Sequence, residues 1–283
     1  MRLVADAGAT KIDWGIIEAG NNGDHRKENY FSTIGINPYF FKSEEIISIL
    51  TKEIPTGFDK LKVKELFYYG AGCSSEARNK RVYDALRIIF PKAEIVVNHD
   101  LLGAAIALCG NEKGIACILG TGSNSCLYDG KEIIDQHGGI GFILGDEGSG
   151  AHMGKLFIQQ LFYKNVPQEL KENFYNDFKL KDENIIDNIY MKPYPNRFLA
   201  SFSPFFSSNI SHPFIEKIVL QSFNDFFSAH ITYFKNYKDY PFNAVGSIAI
   251  HFEKQLNKVI AEYEMKPGRF IEKPIDYLVK HYS

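Results

Sequence analysis

Residues 65–110 read ELFYYGAGCSSEARNKRVYDALRIIFPKAEIVVNHDLLGAAIALCG, and this stretch decides the fold class. It contains a strand that runs into glycines, an amphipathic helix, a second strand and an apolar helix, at 65–73, 79–90, 94–100 and 101–110. The first helix stops before Pro91, and Gly110 ends the second. Strands that alternate with helices predict an α/β fold.

A similar segment opens each half of the chain. Residues 2–20 contain two apolar runs divided by a turn of small residues, and residues 114–133 repeat this pattern around a Gly/Ser/Thr turn. Both segments are expected to form β-hairpins. Aligning Gly8 with Gly122, an offset of 114, places Val4 opposite Ile118. This repeat predicts two related domains.

The remaining segments are mostly helical in pattern. Ser43 is expected to be the N-cap of a helix over 43–54. Helices are also expected over 216–234 and 274–283, the latter packing back on the body, and a strand over 243–250. The aromatic-rich stretch 157–234 has two open interpretations, a lining for a substrate pocket or a dimer interface.

Composition excludes several classes of protein. The 283 residues carry a net charge of -2, which gives no electrostatic footprint for nucleic acid or an anionic membrane. No stretch approaches the roughly 20 apolar residues that span a bilayer. The N-terminus does not resemble a signal peptide, and the four cysteines form no C-x-x-C pair. These features favour a reduced, cytoplasmic protein.

Two glycine-containing turns are candidates for phosphate binding. In the first, DAGATK at 6–11, small residues let backbone N–H groups approach a phosphate, Thr10 and Lys11 can donate, and Asp6 can hold Mg²⁺ through water. The second, GTGSN at 120–124, has the same logic, although no Gly-Lys-Ser/Thr follows it as in a Walker A loop. Ordinary hairpin turns are the alternative for both.

Two acidic residues stand beside strand or helix ends. Asp100 closes one strand and opens a helix, so it is either an N-cap or a general base at the carboxyl edge of the sheet. Asp146 lies in GDEGSG at 145–150, just before a helix expected over 150–162. It is a candidate ligand for sugar hydroxyls, and the alternative is a favourable charge at that helix N-terminus.

Two further positions have equally simple structural explanations. Asn37 is a lone amide before Pro38, where turn propensity is sufficient explanation. Gly246-Ser247 follows a late strand, where the glycine admits either a flat adenine or ribose or only a tight turn.

In this order, the motifs resemble the N-acetylglucosamine kinase group of the BadF/BadG/BcrA/BcrD ATPase family, within the actin–hexokinase–Hsp70 superfamily. GTGSN with GDEGS is the specific pair. The other similar segments are DAGATK, NHDLLGA, GINPY and AVGSIA, at 6–11, 98–104, 35–39 and 244–249.

The resemblance implies two ribonuclease H-like (actin-like ATPase) domains, each a mixed five-stranded sheet with helices, facing a central cleft. It implies domains at 1–103, joined by 272–283, and at 104–271. It also implies an ATP-dependent kinase acting on an amino sugar, N-acetylglucosamine at its C6 hydroxyl, with Mg²⁺. Asp100 would be the base, and the sugar ligands would be Asn37, Asp100, Thr121, Asn124 and Asp146. ATP would bind at Gly8, Ala9, Thr10, Lys11, Gly120, Thr121, Gly122, Gly246 and Ser247.

Ala7 and Ala9 stand where the family usually has glycine, so the first loop must use ordinary backbone angles. This departure supports one alternative, a non-catalytic sugar- or nucleotide-binding protein. A second alternative is an ATPase that activates a radical dehydratase through an iron–sulfur cluster, for which Cys109 is the one plausible ligand. The identity of the amino sugar and the formation of a homodimer stay open.

Overall fold

The computed structural model describes residues 1–8, 11–18 and 28–283. They form two compact units, one made of 1–111, 130–132 and 273–283 and the other of 112–129 and 133–272. The domain boundary expected after residue 103 falls inside a helix of the first unit, Asp100–Cys109.

The first unit is built on a mixed five-stranded sheet. Its strands are β1 (Arg2–Ala7), β2 (Lys11–Ile17), β3 (Glu28–Ile34), β4 (Glu65–Gly70) and β5 (Glu94–His99), and its first three helices are α1 (Ser43–Glu53), α2 (Glu76–Ile89) and α3 (Asp100–Cys109). The sheet order is β3-β2-β1-β4-β5. The first three strands form an antiparallel meander, whereas β4 and β5 run parallel to β1.

The second unit repeats this sheet and adds more helices. Its elements are β6 (Gly114–Leu119), β7 (Ser123–Tyr128), β8 (Ile133–Gly138), α4 (Gly150–Phe162), α5 (Gln168–Phe178), α6 (Asp182–Tyr190), α7 (Pro195–Ala200), α8 (Ser203–Ser208), α9 (Pro213–Ala229), β9 (Pro241–Val245), α10 (Ser247–His251), α11 (Glu253–Glu262) and β10 (Lys266–Ile271). The sheet order is β8-β7-β6-β9-β10. The two mixed five-stranded sheets confirm the predicted fold class.

The repeat is real, but the predicted offset of 114 is wrong. Ala7 pairs with Ile12, and Leu119 pairs with Ser123. The matching strands are therefore offset by 112 residues (β1 and β6) and 111 residues (β2 and β7). The sequence alignment is therefore off by two residues in β1 and β6 and by three in β2 and β7. A two-residue shift keeps every side chain on the same face of a strand, so the apolar pattern of β1 and β6 fits either register.

The C-terminal helix α12 (Ile275–Tyr282) belongs to the first unit. The ring of Tyr282 stacks on Phe67 with centroids 4.0 Å apart, and its carbonyl accepts a hydrogen bond of 2.8 Å from Arg2. A Cβ on Gly15 would overlap Val279, so the helix lies directly on β2. The helix therefore packs back on the body as predicted.

Three sequence predictions need correction. Ser43 is not the N-cap of α1: Lys42 is, and its N–H donates to Glu45 at 2.8 Å. The strand expected over 243–250 ends at Val245, because Gly246 has φ 122° and helix α10 begins at once. The helix expected over 216–234 is shifted to Pro213–Ala229, since Pro213 is favourable in a first helical turn.

The aromatic-rich stretch mainly builds the core of the second unit. Phe157, Phe174, Phe202 and Phe206 are fully buried and pack ring against ring, with Phe157 5.0 Å from Phe174. Burial of such large side chains contributes strongly to stability. In the described ranges, no helix has the length and apolar character needed to cross a membrane.

Candidate functional site

The paired strands β1 and β2 of the first unit bring acidic side chains together. Asp6 stands near the end of β1, paired across the sheet with Asp13 on β2. Burial, and then the charges of Asp100 and Asp13, raise the pKa of Asp6 to about 7. Lys11 lies 2.6 Å from Asp13 and partly offsets this charge. Ala9 and Thr10, predicted to bind ATP, lie outside the described residues.

Asp100 is the first residue of α3, directly after β5. The N-cap of this helix is His99, so the N-cap explanation for Asp100 is wrong. One carboxylate oxygen of Asp100 accepts the N–H of Leu101 at 2.9 Å. Burial raises the pKa of Asp100, and burial lowers that of His99. A carboxylate with a raised pKa is a stronger base, as proton abstraction requires.

Asn37 lies in a turn that contacts the loop after β4. Its side-chain oxygen accepts the N–H of Tyr39 at 3.0 Å, and a Cβ on Gly72 would overlap this oxygen. Arg78 fixes the same loop by donating to the carbonyl of Gly72 at 2.9 Å. Cys73, next in this loop, interacts electrostatically with Asp100. The turn of Asn37 is thus connected through this loop to the surroundings of Asp100.

The turn of the second hairpin is held by helix α4. The first two N–H groups of α4, from Gly150 and Ala151, donate to the carbonyls of Gly120 and Thr121 at 2.9 and 3.1 Å. The carbonyl of Gly122 accepts the N–H of Gly120 at 3.0 Å. The turn is therefore a rigid loop with fixed backbone geometry, as a phosphate site needs.

Asp146 lies directly against this turn. A Cβ on Gly122 would be 2.8 Å from a carboxylate oxygen of Asp146, so the carboxylate fits there only because residue 122 is glycine. The N–H of Ser123 approaches the other oxygen at 3.3 Å. Asp146 has φ 61°, a left-handed conformation that Asp tolerates better than most residues. Burial raises the pKa of its side chain.

Asn124 stands on β7 opposite Gly138. Its side-chain oxygen accepts the N–H of Ser125 at 3.0 Å, and a Cβ on Gly139 would be 3.0 Å from its side-chain nitrogen. The hydroxyl of Ser123 is buried and, within the described chain, has no hydrogen-bond partner. Buried hydroxyls usually have one, so a ligand at this turn would satisfy Ser123.

A cavity of about 430 Å³ opens beside the same turn. Gly120, Thr121 and Ser247 line it, which brings the predicted second phosphate turn and adenosine segment together. A Cβ on Gly246 would overlap the carbonyl of Leu119, so glycine is required where β9 meets α10. The volume lies in the range of ligand pockets.

No family model matches the sequence. A solved structure from Porphyromonas gingivalis, provisionally assigned as an N-acetylglucosamine kinase, is 40% identical, with a TM-score of 0.92. The similarity covers 100% of this chain and 98% of that one. The chain belongs to the N-acetylglucosamine kinase-like family of carbohydrate kinases. The resemblance inferred from the motifs is confirmed.

Two further relatives of this kinase-family member are more distant. An N-acetylmuramic acid/N-acetylglucosamine kinase from Clostridium acetobutylicum is 32% identical over 174 residues, which are 56% of this chain and 56% of that protein. A ROK family glucokinase from Streptomyces griseus, solved with glucose and AMPPNP, is 13% identical with a TM-score of 0.53. The structural similarity covers 99% of this chain and 97% of the glucokinase chain. At this low sequence identity, the similarity to the glucokinase shows a shared fold and nothing more.

Several residues that line the cavity of this kinase-family member were not predicted from the sequence. The other side of the cavity comes from the residue after α7 and from α8 and α10, at Ser201, Ser203, Pro204, Ser207, Ser208 and His251. Residues 201–208 read SFSPFFSS, in which the phenylalanines enter the core and the intervening serines remain outside. The sequence signal for this cavity lining was an outer face that carries hydroxyl groups, where an exposed helix face usually carries charged side chains.

The acidic side chains of the first unit fit a magnesium ion. Kinases usually hold Mg²⁺ with one or two carboxylates together with the phosphates of the substrate. Among the described residues, no three His, Cys, Asp or Glu side chains cluster as a metal site. Asp6 with Asp100 nearby supplies one or two carboxylates, and a cation would favour their ionised forms. This donor set suits Mg²⁺ in a complex with ATP.

Proposed function

We propose that this kinase transfers the γ-phosphoryl group of ATP to the C6 hydroxyl of N-acetylglucosamine. The observation that carries the proposal is the 40% identity, over the whole chain, to the protein provisionally assigned as an N-acetylglucosamine kinase. The Clostridium relative is named for both N-acetylmuramic acid and N-acetylglucosamine, so both sugars belong in the test.

Asp100 acts as the general base in this proposal. Its position after β5 puts a carboxylate at the carboxyl end of a parallel strand, where ligands of α/β sheets bind. The raised pKa makes Asp100 better able to take the hydroxyl proton as the sugar oxygen attacks phosphorus. Asn37, Thr121, Asn124 and Asp146 hydrogen-bond the sugar and orient that hydroxyl.

The two hairpin turns bind the phosphates in this proposal. Backbone N–H groups at Gly8, Thr121 and Gly122, together with Lys11, donate to phosphate oxygens, while Gly120 shapes the second turn. Asp6 holds Mg²⁺, which when bound offsets the charge of the β- and γ-phosphates. The adenosine occupies the cavity beside Gly246 and Ser247. Ala9 and Thr10 stay predicted members of this site.

A coupled assay of ADP release tests the proposal, with N-acetylglucosamine, N-acetylmuramic acid and glucosamine as acceptors. We expect ATP- and Mg²⁺-dependent turnover, fastest with N-acetylglucosamine, and a product whose ³¹P NMR signal couples to the C6 protons. The 6-deoxy analogue should bind without being phosphorylated. Phosphorylation of that analogue would show that another hydroxyl is used.

Absence of turnover with all three sugars would refute the kinase assignment for amino sugars. Calorimetric binding of AMPPNP and of each sugar would then reveal the non-catalytic alternative. Iron analysis of the purified protein tests the dehydratase-activator alternative, which requires a cluster. Membership in the kinase family favours the sugar kinase over both.

A further inference from the structure

The turn that carries Asp146 is tied to the last turn of α9. Glu147, the next residue, has a carboxylate oxygen 2.9 Å from Nε2 of His230. His230 is the C-cap of α9, and its N–H donates to the carbonyl of Phe226 at 2.9 Å. A Cβ on Gly148 would be 2.8 Å from Phe226, so the backbone after Glu147 also lies on this helix end.

The Nδ1–Cε1 edge of the His230 ring faces a second segment, at the end of β8. A Cβ on Gly138 would be 3.2 Å from both Cε1 and Nδ1 of this ring. Gly138 pairs with Asn124 across β7 and β8, and Gly139 lies against the amide of Asn124. One imidazole therefore stands between the turn of Asp146 and the strand end beside Asn124.

Burial and charge make this contact rigid. His230 is only 5% exposed, and its ring packs on Phe226 with centroids 5.1 Å apart. Burial favours the neutral form of Glu147, but hydrogen bonds from its own backbone N–H and from His230 outweigh this and lower its pKa. A hydrogen bond to a charged group in such surroundings is strong and costly to break.

We propose that Glu147 and His230 form a positioning pair that fixes the spacing between Asp146 and Asn124, and so sets affinity for the sugar. The inference rests on the proposed function, because it takes these two side chains as sugar ligands. Neither member of the pair needs to touch the sugar or ATP. Small displacements of ligand-orienting groups are enough to weaken binding and catalysis substantially.

The test compares E147A, H230A and the double variant with S222A as a matched control. Ser222 on α9 lies 2.9 Å from Nδ1 of His152 on α4, so S222A also breaks a buried polar contact of α9, but one in which neither Asp146 nor Asn124 takes part. Calorimetry measures the affinity for N-acetylglucosamine and, separately, for AMPPNP.

We expect E147A and H230A each to weaken sugar binding about tenfold, with AMPPNP affinity changed less than about twofold. The double variant should be no worse than the single ones, because both remove the same contact. S222A should lower Tm without changing sugar affinity. Equal sugar affinities in E147A, H230A and S222A would overturn the proposal.

A conservative variant, E147Q, separates loss of the hydrogen bond from misfolding as the cause of weak sugar binding. In E147Q the amide oxygen can still accept from His230, so E147Q should recover most of the affinity that E147A loses. If E147Q binds sugar as weakly as E147A while folding normally, the hydrogen bond is not what positions the site, and the proposal fails.

Hydrogen exchange separates this inference from the proposed function. If the unmodified protein binds no amino sugar, the proposed function fails, yet the positioning role is still measurable. The amides of 138–148 should then exchange faster in E147A than in S222A. Equal exchange in the two variants overturns the positioning pair, whatever the substrate.

Discussion

The two hairpins share one strand pairing but differ in the charge that their strands carry. In the first, β1 carries Asp6, which pairs with Asp13. In the second, the corresponding strand β6 carries Ile118, which pairs with Asn124. The strands of the first hairpin thus carry two carboxylates, and burial disfavours the ionised form of Asp6. The strands of the second hairpin carry neutral side chains, and its turn receives one carboxylate, Asp146, from a later segment.

This difference shows how a repeated fold can take on two kinds of chemistry. A sheet with partly buried carboxylates suits proton transfer and a metal–phosphate complex. A turn of backbone N–H groups and neutral polar side chains suits the recognition of phosphate oxygens and sugar hydroxyls. We therefore expect substitutions in the first unit to act mainly on turnover and on ATP, and those near the second turn to act mainly on sugar affinity.

The largest effect is expected for Asp100→Asn. Removing a general base lowers kcat about 10²–10⁴-fold, while sugar affinity should stay within about tenfold. Asp84→Asn on α2 is the control, since Asp84 is a partly exposed residue whose carboxylate pairs with the side chain of Lys80 one helical turn earlier. Turnover near that of the unmodified protein in Asp100→Asn would contradict the assignment of the base.

The next effect concerns stability against acid in the second unit. Burial lowers the pKa of His152 to about 4, below its usual 6.5. Between these values the unfolded chain binds a proton that the folded chain does not, so the free energy of unfolding falls as pH falls. From pH ~7.5 to ~5 the loss from this group should be about 2 kcal/mol.

Comparing the unmodified protein with His152→Asn isolates this contribution. Asn can still hydrogen-bond Ser222 but does not titrate. The difference in unfolding free energy between the two proteins, from urea denaturation followed by circular dichroism, should shift in favour of the variant as pH falls. A difference that is constant with pH would show that His152 is not held neutral.

The smallest effect distinguishes the two turns directly. In Gly122→Ala the new methyl group would push on the carboxylate of Asp146, so the sugar KM should rise about tenfold. In Gly8→Ala the Cβ would be 3.2 Å from the carbonyl of Lys11, a mild contact. That variant should raise the ATP KM about two- to threefold and leave the sugar KM unchanged.

Gly57→Ala is the control for both, because nothing lies within 4 Å of the position its Cβ would take. Steady-state kinetics with each substrate varied in turn gives the two KM values. If both glycine variants change the same KM to the same extent, the division of roles between the turns is wrong.

Local patterns in the sequence were sufficient for most of the fold. The alternation over 65–110 predicted β4, α2, β5 and α3, because strand and helix periods are readable without tertiary contacts. The helix expected over 150–162 is α4, bounded by glycine and a serine N-cap. The repeat was visible as well, although its register was not, since pairing across strands is a tertiary property.

Candidate site residues could also be predicted from the sequence, at Asp6, Asp100, Asp146 and the GTGSN turn. Small and acidic residues at strand ends are typical of binding sites in α/β folds. Which groups meet was decided by the tertiary structure alone. The fit of Asp146 against Gly122, the contact of His230 with Glu147 and the serine-lined cavity join residues 24 to 131 positions apart. Local propensity has no information about such distant contacts, because they form only when helices pack on the completed sheet.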